Sequence, residues 1–350
     1  MKGLWIGKTG DANSWYHISL IAKAKKCEFL HVVRYNKPIR KVQSNNVLYH
    51  TFFPSSGIFS FISLFIKGVY VLIRYKVDFI ITFNVFPYGF LSAILSKIFN
   101  KKLILVFIGA DFNTYMFKKL YRLLIINSLH RANLIVCKGH HMTDEIIKSK
   151  IPQKKIDYYP HFVSNKFFIS PNMGNYKYDI ITVCELIERK RINILLDSIS
   201  MLKKDKIKLK VCILGDGPKL QELLKQTKDL GLENYVNFVG FKKNIIDYLI
   251  VSKFYVQTSV GEGLSLALLE SMTIGLVPIV TIAGSEKDII KNWENGVFIE
   301  KNNASDLVDK IKIIENKNLF YKLKNNIINT RDRFSIDNAV KYSNEMLRKI

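Results

Sequence analysis

Thr258-Ser-Val-Gly-Glu-Gly-Leu-Ser-Leu-Ala-Leu-Leu-Glu-Ser-Met272 is the stretch from which the fold is read. The apolar run Phe254–Thr258 feeds a loop holding Gly261 and Gly263. A helix is expected from about Ser265, and Gly275 ends it before the next apolar run, Val277–Val280. Strand, glycine loop, helix, strand is the building unit of a parallel sheet. It also makes an anion site: unpaired N–H groups of Gly263, Leu264 and Ser265 face out of the helix start, where the macrodipole favours negative charge such as a diphosphate. Two acids accompany it, Glu262 in the loop and Glu270 about one and a half turns into the helix. Carboxylates facing a phosphate would repel it, so their role is to accept hydrogen bonds from neutral hydroxyls, as a carboxylate does from adjacent sugar hydroxyls. Glu270 has Leu266, Leu268, Leu269 and Met272 for neighbours, and an acid in so apolar a helix needs a partner.

Outward from this segment the same alternation fills the chain. Leu4–Gly7, Leu30–Arg34, Phe79–Phe83, Leu103–Ile108 and Leu134–Lys138 read as buried strands, compact and rich in β-branched or aromatic residues. Ser14–Lys25, Ile58–Tyr75 and Phe117–Leu129 carry apolar residues at helical spacing between them. Ser164–Tyr178 loses the periodicity and gathers Ser, Pro, Asn and Gly, which places a domain boundary there. Strands then resume at Asp179–Val183, Leu209–Leu214, Val236–Val239, Phe254–Thr258, Val277–Val280 and Val297–Ile299. The expectation is an α/β protein of two doubly wound, Rossmann-like domains, residues 1–165 and 166–350, facing a ligand cleft. Its last helix, about 335–350, is a candidate to pack back on the first domain.

Composition bounds the partners. The 350 residues hold 53 Lys+Arg against 29 Asp+Glu, a formal charge of +24. The surplus is uneven: residues 1–165 carry 24 basic and 7 acidic side chains, residues 166–350 carry 29 and 22. Such an excess favours contact with lipid headgroups, phosphorylated substrates or nucleic acid. The four cysteines (Cys27, Cys137, Cys184, Cys212) are far apart, with no CxxC pair and no histidine at zinc-ligand spacing, so neither a disulfide framework nor a metal is expected and a reducing, cytoplasmic compartment fits. MKGLWIGKTG is not a secretion signal, and the most apolar stretch, Gly57 to Ile73, is broken by Lys67 well short of the ~20 residues of a membrane span. Within it, Ile58, Phe61, Ile62, Phe65, Val69 and Ile73 lie along one helical stripe beside Lys67, Arg74 and Lys76. Packing against the sheet is expected for the stripe, and contact with an anionic membrane surface for the surrounding lysines.

Other phosphate motifs fail or stay bland. Gly3-Leu4-Trp5-Ile6-Gly7-Lys8-Thr9 ends in GKT but has three residues between its glycines where a P-loop needs four. Gly7 and Gly10 still form a flexible turn where backbone approaches a ligand closely. No GxGxxG follows the first strand. Gly215-Asp216-Gly217-Pro218 reads as a tight turn with proline at a helix start.

Together GEGLSLALLESMTIGLVPIV, with seven residues between Glu262 and Glu270, resembles the E-x7-E segment of family 4 retaining glycosyltransferases of the GT-B fold, within the glycosyl transferases group 1. The resemblance covers the second domain. VCELIERKR is similar to the strand and basic loop that face the donor diphosphate, GDGP to the family's glycine turn, and Thr281-Ile-Ala-Gly-Ser-Glu-Lys-Asp-Ile-Ile with Asn295-Gly-Val-Phe-Ile to its closing pattern. In the first domain Gly109-Ala-Asp111 and Pro160-His-Phe-Val-Ser-Asn165 fit loosely.

That resemblance implies a nucleotide-sugar donor on the second domain, a glycan or lipid-linked acceptor on the first, and metal-independent transfer with retention, without a cofactor. By position Glu262 would hold the donor sugar's hydroxyls, Glu270 the ribose, and Lys190 would neutralise the leaving diphosphate. Gly263, Leu264, Ser265, Arg189, Arg191, Gly10 and Asp111 complete the expected donor site. Two positions depart from the pattern: Glu185 stands where the family commonly has Arg, with Arg189 or Arg191 as substitutes, and Ile108 stands where many members have His. Both keep open a relative that binds sugar nucleotide or glycan without turnover. A nucleic-acid-binding protein is suggested by charge alone, with no helix-turn-helix, RNP-like strand or zinc motif behind it.

Overall fold

The computed structural model describes residues 1–7, 12–34, 41–51, 58–107, 119–139, 143–261 and 263–350. Ile108, Asp111, Gly10 and Glu262, with Lys8 and Thr9, lie outside the described residues. The chain forms two compact units, Met1–His161 with Ile336–Ile350, and Phe162–Ser335.

The first unit is built on a seven-stranded parallel sheet in the order β3-β2-β1-β4-β5-β6-β7. Its strands are β1 Lys2–Ile6, β2 Phe29–Arg34, β3 Val47–Thr51, β4 Phe79–Phe83, β5 Lys102–Phe107, β6 Leu134–Cys137 and β7 Ile156–Tyr158. Helices α1 (Ala12–Lys23), α2 (Ile58–Arg74), α3 (Phe90–Ile98), α4 (Lys119–Arg131) and α5 (Thr143–Lys148) connect them. The central strands are buried on both faces, which is why they read as continuous apolar runs rather than alternating ones.

The second unit carries a six-stranded parallel sheet, order β10-β9-β8-β11-β12-β13. Its strands are β8 Tyr178–Val183, β9 Val211–Leu214, β10 Val236–Gly240, β11 Ser252–Gln257, β12 Val277–Thr281 and β13 Val297–Ile299. The helices are α6 (Ile192–Lys204), α7 (Leu220–Asp229), α8 (Ile246–Leu249), α9 (Leu266–Ile274), α10 (Ala304–Ile314) and α11 (Lys317–Thr330). The last helix, α12 (Ile336–Arg348), belongs to the first unit and packs on α1, with Tyr342 edge-on to Tyr159 at 5.5 Å.

Strand order reverses between β8 and β11, which pair through Ile180↔Phe254 and Ile181↔Tyr255. Chains leaving the carboxyl ends of two such strands diverge to opposite sides and leave a crevice. The segments that leave here are 184–191 and 258–265, the basic and glycine-rich loops singled out in the sequence.

Candidate functional site

Four hydrogen bonds lay the two loops against each other. Thr258 Oγ1 donates to the carbonyl oxygens of Lys190 and Arg191, 2.9 Å each, the Val260 N–H donates to the Arg189 carbonyl at 2.9 Å, and Arg189 Nη1 donates to the Gly261 carbonyl at 2.9 Å. Lys190 and the glycine loop, 68 residues apart, are thereby brought together, and Arg189 spends one donor on holding them so. On the far side the Ser285 N–H donates to the Gly263 carbonyl at 2.9 Å. The loop is clamped from both flanks.

Past it α9 begins at Leu266, with Ser265 in extended backbone as its N-cap and the Leu268 N–H directed to Ser265 Oγ at 3.4 Å. The N–H groups of Gly263, Leu264 and Ser265 donate to no group among the described residues. A Cβ added at Gly261 or at Gly263 would meet nothing within 4 Å, so the protein's own packing does not demand these glycines. At its other end α9 is closed. Gly275, at φ +101°, takes the left-handed C-cap, the buried Lys324 ammonium donates to the Gly275 carbonyl at 2.9 Å, and Arg331 Nη1 donates to the Thr273 carbonyl at 3.1 Å. Burial holds the Lys324 ammonium down to about 8.

Glu270 is half-buried on this helix, and burial pushes its carboxyl up to about 7, opposed by the charge of Lys166. No hydrogen bond reaches its carboxyl among the described residues, so none of them supplies the partner expected for an acid here. Arg191 has left-handed backbone at the start of α6 and binds Glu188 through Nη1. Glu188 is also held by Lys219 at 2.8 Å, and Lys219 first and Arg191 second keep its carboxyl below the usual range. The guanidinium of Arg191 is thus partly neutralised. Glu185 is exposed at the carboxyl end of β8.

Gly215-Asp216-Gly217-Pro218 is a structural turn, and α7 starts at Leu220, two residues beyond the proline placed at its start. A Cβ at Gly215 would sit 1.7 Å from the Cys184 carbonyl oxygen, and one at Gly217 2.6 Å from that of Leu186. Both glycines let this turn lie flush on the segment leading to the basic loop.

Sequence reasoning missed a third acid. Glu286 is fully buried and accepts hydrogen bonds from Gln257 Nε2 (3.0 Å) and from the Ala283 and Gly284 N–H groups (3.0 and 2.6 Å). It fixes the 283–286 loop that carries Ser285 onto Gly263. Gln257, a lone amide inside the apolar strand SKFYVQ, was the signal, because a buried amide needs a buried partner.

Residues 164–333 match the family model described as glycosyl transferases group 1. They form a group 1 glycosyl transferase domain. The chain is 22% identical over 206 residues to N-acetyl-alpha-D-glucosaminyl L-malate synthase of Bacillus anthracis, covering 56% of this chain and 54% of that protein. It is 30% identical over 153 residues to N-acetylgalactosamine-N,N'-diacetylbacillosaminyl-diphospho-undecaprenol 4-alpha-N-acetylgalactosaminyltransferase of Campylobacter jejuni, covering 43% and 41%. The matched region thus spans about half the length, or less, of these curated relatives. Anabaena HepE, solved in complex with UDP, superposes over 100% of both chains with a TM-score of 0.81 at 17% identity. The fold is GT-B. Within these residues the 189–191 turn is hydrogen-bonded to the loop that leads to the open start of α9, and Glu270 lies further along that helix.

Proposed function

We propose that the protein is a retaining, family 4 glycosyltransferase that moves a sugar from a UDP- or GDP-sugar to a glycan or lipid-linked acceptor in surface polysaccharide or lipopolysaccharide biosynthesis. The observation that carries this reading is the open N-terminus of α9 at the switch point of the second sheet, with the Lys190 turn hydrogen-bonded to its loop. The unpaired N–H groups and the ammonium of Lys190 hold the diphosphate, and both gain strength as the glycosidic bond breaks and negative charge grows on the leaving group. Glu270 accepts hydrogen bonds from the ribose hydroxyls, the partner the fold leaves to a ligand. Glu262 orients the donor sugar through its hydroxyls. The UDP held by HepE and the lipid diphosphate in the name of the Campylobacter relative support the donor and acceptor classes. The proposed compartment is the cytoplasm, where a nucleotide-sugar donor is available.

The test is Glu262→Gln, assayed with a panel of nucleotide sugars. Turnover is expected to fall by about 100-fold while donor binding persists. Wild-type protein that binds a donor but transfers no sugar to any glycan or lipid-diphosphate acceptor would point instead to a binding relative.

A further inference from the structure

Helix α2 presents two different faces. Its inner face is pressed on the sheet and on α3: Leu64, Val71 and Leu72 are buried, and Gly68 lies so close to Leu95 that a Cβ would come within 2.5 Å of the leucine. Phe61, Phe65 and Val69 pack against this core, as the sequence stripe predicts. Ile62 and Ile73, assigned to the same stripe, do not. They join a second row that nothing among the described residues covers: Phe59 is 70% exposed, Ile62 47%, Ile66 56%, Tyr70 51% and Ile73 72%. At 100° per residue these five fall within an arc of about 80° and run for about 21 Å. The helix is apolar nearly all round, so periodicity alone did not show which part turns outward.

The charged side chains of helix α2 are all basic. Arg74 and Lys76 are exposed and Lys67 is half-buried. α3 packs on both α2 and α4, and these neighbours add exposed Ile98, Leu120 and Leu123 with exposed Lys97, Lys119 and Arg122. None of the three helices contains a single Asp or Glu. A second copy of the chain would bring the same cations face to face, and like charges oppose such a contact. An apolar row flanked by cations fits a surface that is oily below and anionic at its rim.

We propose that the outer face of α2 is the membrane-docking element of this protein, lying in the interface of an anionic bilayer with Phe59, Ile62, Ile66, Tyr70 and Ile73 among the acyl chains. No helix among the described residues is long and apolar enough to cross a membrane, and α2, with its opposite face in the core, lies along the surface. The proposal is independent of the donor assignment.

Co-sedimentation of the full chain with phosphatidylcholine vesicles, with and without phosphatidylglycerol, tests it. Wild type is expected to bind the phosphatidylglycerol vesicles, with an affinity that declines as salt is raised. Ile66→Glu with Ile73→Glu is expected to lower that affinity roughly ten-fold or more, with an unchanged melting temperature because both side chains are exposed. Arg74→Ala with Lys76→Ala is expected to remove only the preference for phosphatidylglycerol. Wild-type protein that ignores both vesicles, or a ridge variant that binds like wild type, overturns the proposal. So does a wild-type dimer that the ridge variant splits without any effect on vesicles. A nucleotide-sugar thermal shift on the same samples keeps the two readings apart: its absence counts against the transferase assignment and leaves the vesicle result standing.

Discussion

The two ends of helix Leu266–Ile274 are treated in opposite ways. The carboxyl end is finished by the protein itself, with a left-handed glycine, a buried ammonium on the Gly275 carbonyl and a guanidinium on the Thr273 carbonyl. At the amino end three N–H groups have no acceptor among the described residues, although the loop that bears them is clamped by Arg189, Thr258 and Ser285. Rigid placement with unmet hydrogen-bonding capacity is a preorganised site, since the ordering cost falls on folding and the ligand meets fixed dipoles. On the proposed reading one end of this helix serves stability and the other binding, so each can be damaged alone.

Lys324→Ala attacks the closed end. It removes a buried stem and leaves the Gly275 carbonyl without its donor, so unfolding free energy should fall by about 2–4 kcal/mol. UDP affinity measured below the transition should stay within about two-fold of wild type. Comparable loss of both would mean the two ends are not separable.

A smaller effect separates Glu270 from its surroundings. Its carboxyl rises from the ordinary 4.5 to about 7 on folding because of burial. Between these values the folded chain holds a proton that the unfolded chain releases, so this group's contribution to stability declines as pH rises from 4.5 to 7 and is level above it. Glu270→Gln should erase that decline, leaving the variant more stable than wild type at pH 8 by roughly 1–3 kcal/mol, as chemical denaturation would report. UDP binding should run the other way. Wild type should bind more tightly at pH 8 than at pH 6, because the ribose hydroxyls need the carboxylate, while the variant should be weak and flat. A wild-type affinity that falls with pH would remove Glu270 from the ribose site.

Much of this was legible in sequence where local chemistry is repetitive. Phe79–Phe83 and Val297–Ile299 have the strand bounds their apolar runs predict, and Gly275 ends α9 where a left-handed cap was expected. Less was legible where a signal is short or shared. Val47–Thr51 and Ile156–Tyr158 are edge strands whose apolar runs are broken by His50 and Asp157, and FLSAILSKI, which forms α3, is apolar on most sides. The motif predicted Lys190, Gly263 and Glu270 as parts of one site, and the fold places their elements at one sheet edge. It did not predict Glu286, because an acid within SEKD looks solvated until Gln257 is seen beside it. Rotation of α2 was likewise hidden, since a helix apolar on both faces does not declare which one meets the sheet.

Calorimetric titration of UDP and of uridine, into wild type and into Lys190→Ala, measures the grip on diphosphate most directly. UDP is expected to bind wild type on the order of 100-fold more tightly than uridine, and most of that advantage should vanish in Lys190→Ala while uridine affinity holds. Equal binding of the two ligands to wild type, or an advantage that survives the loss of the lysine, would contradict a phosphate site at the start of this helix.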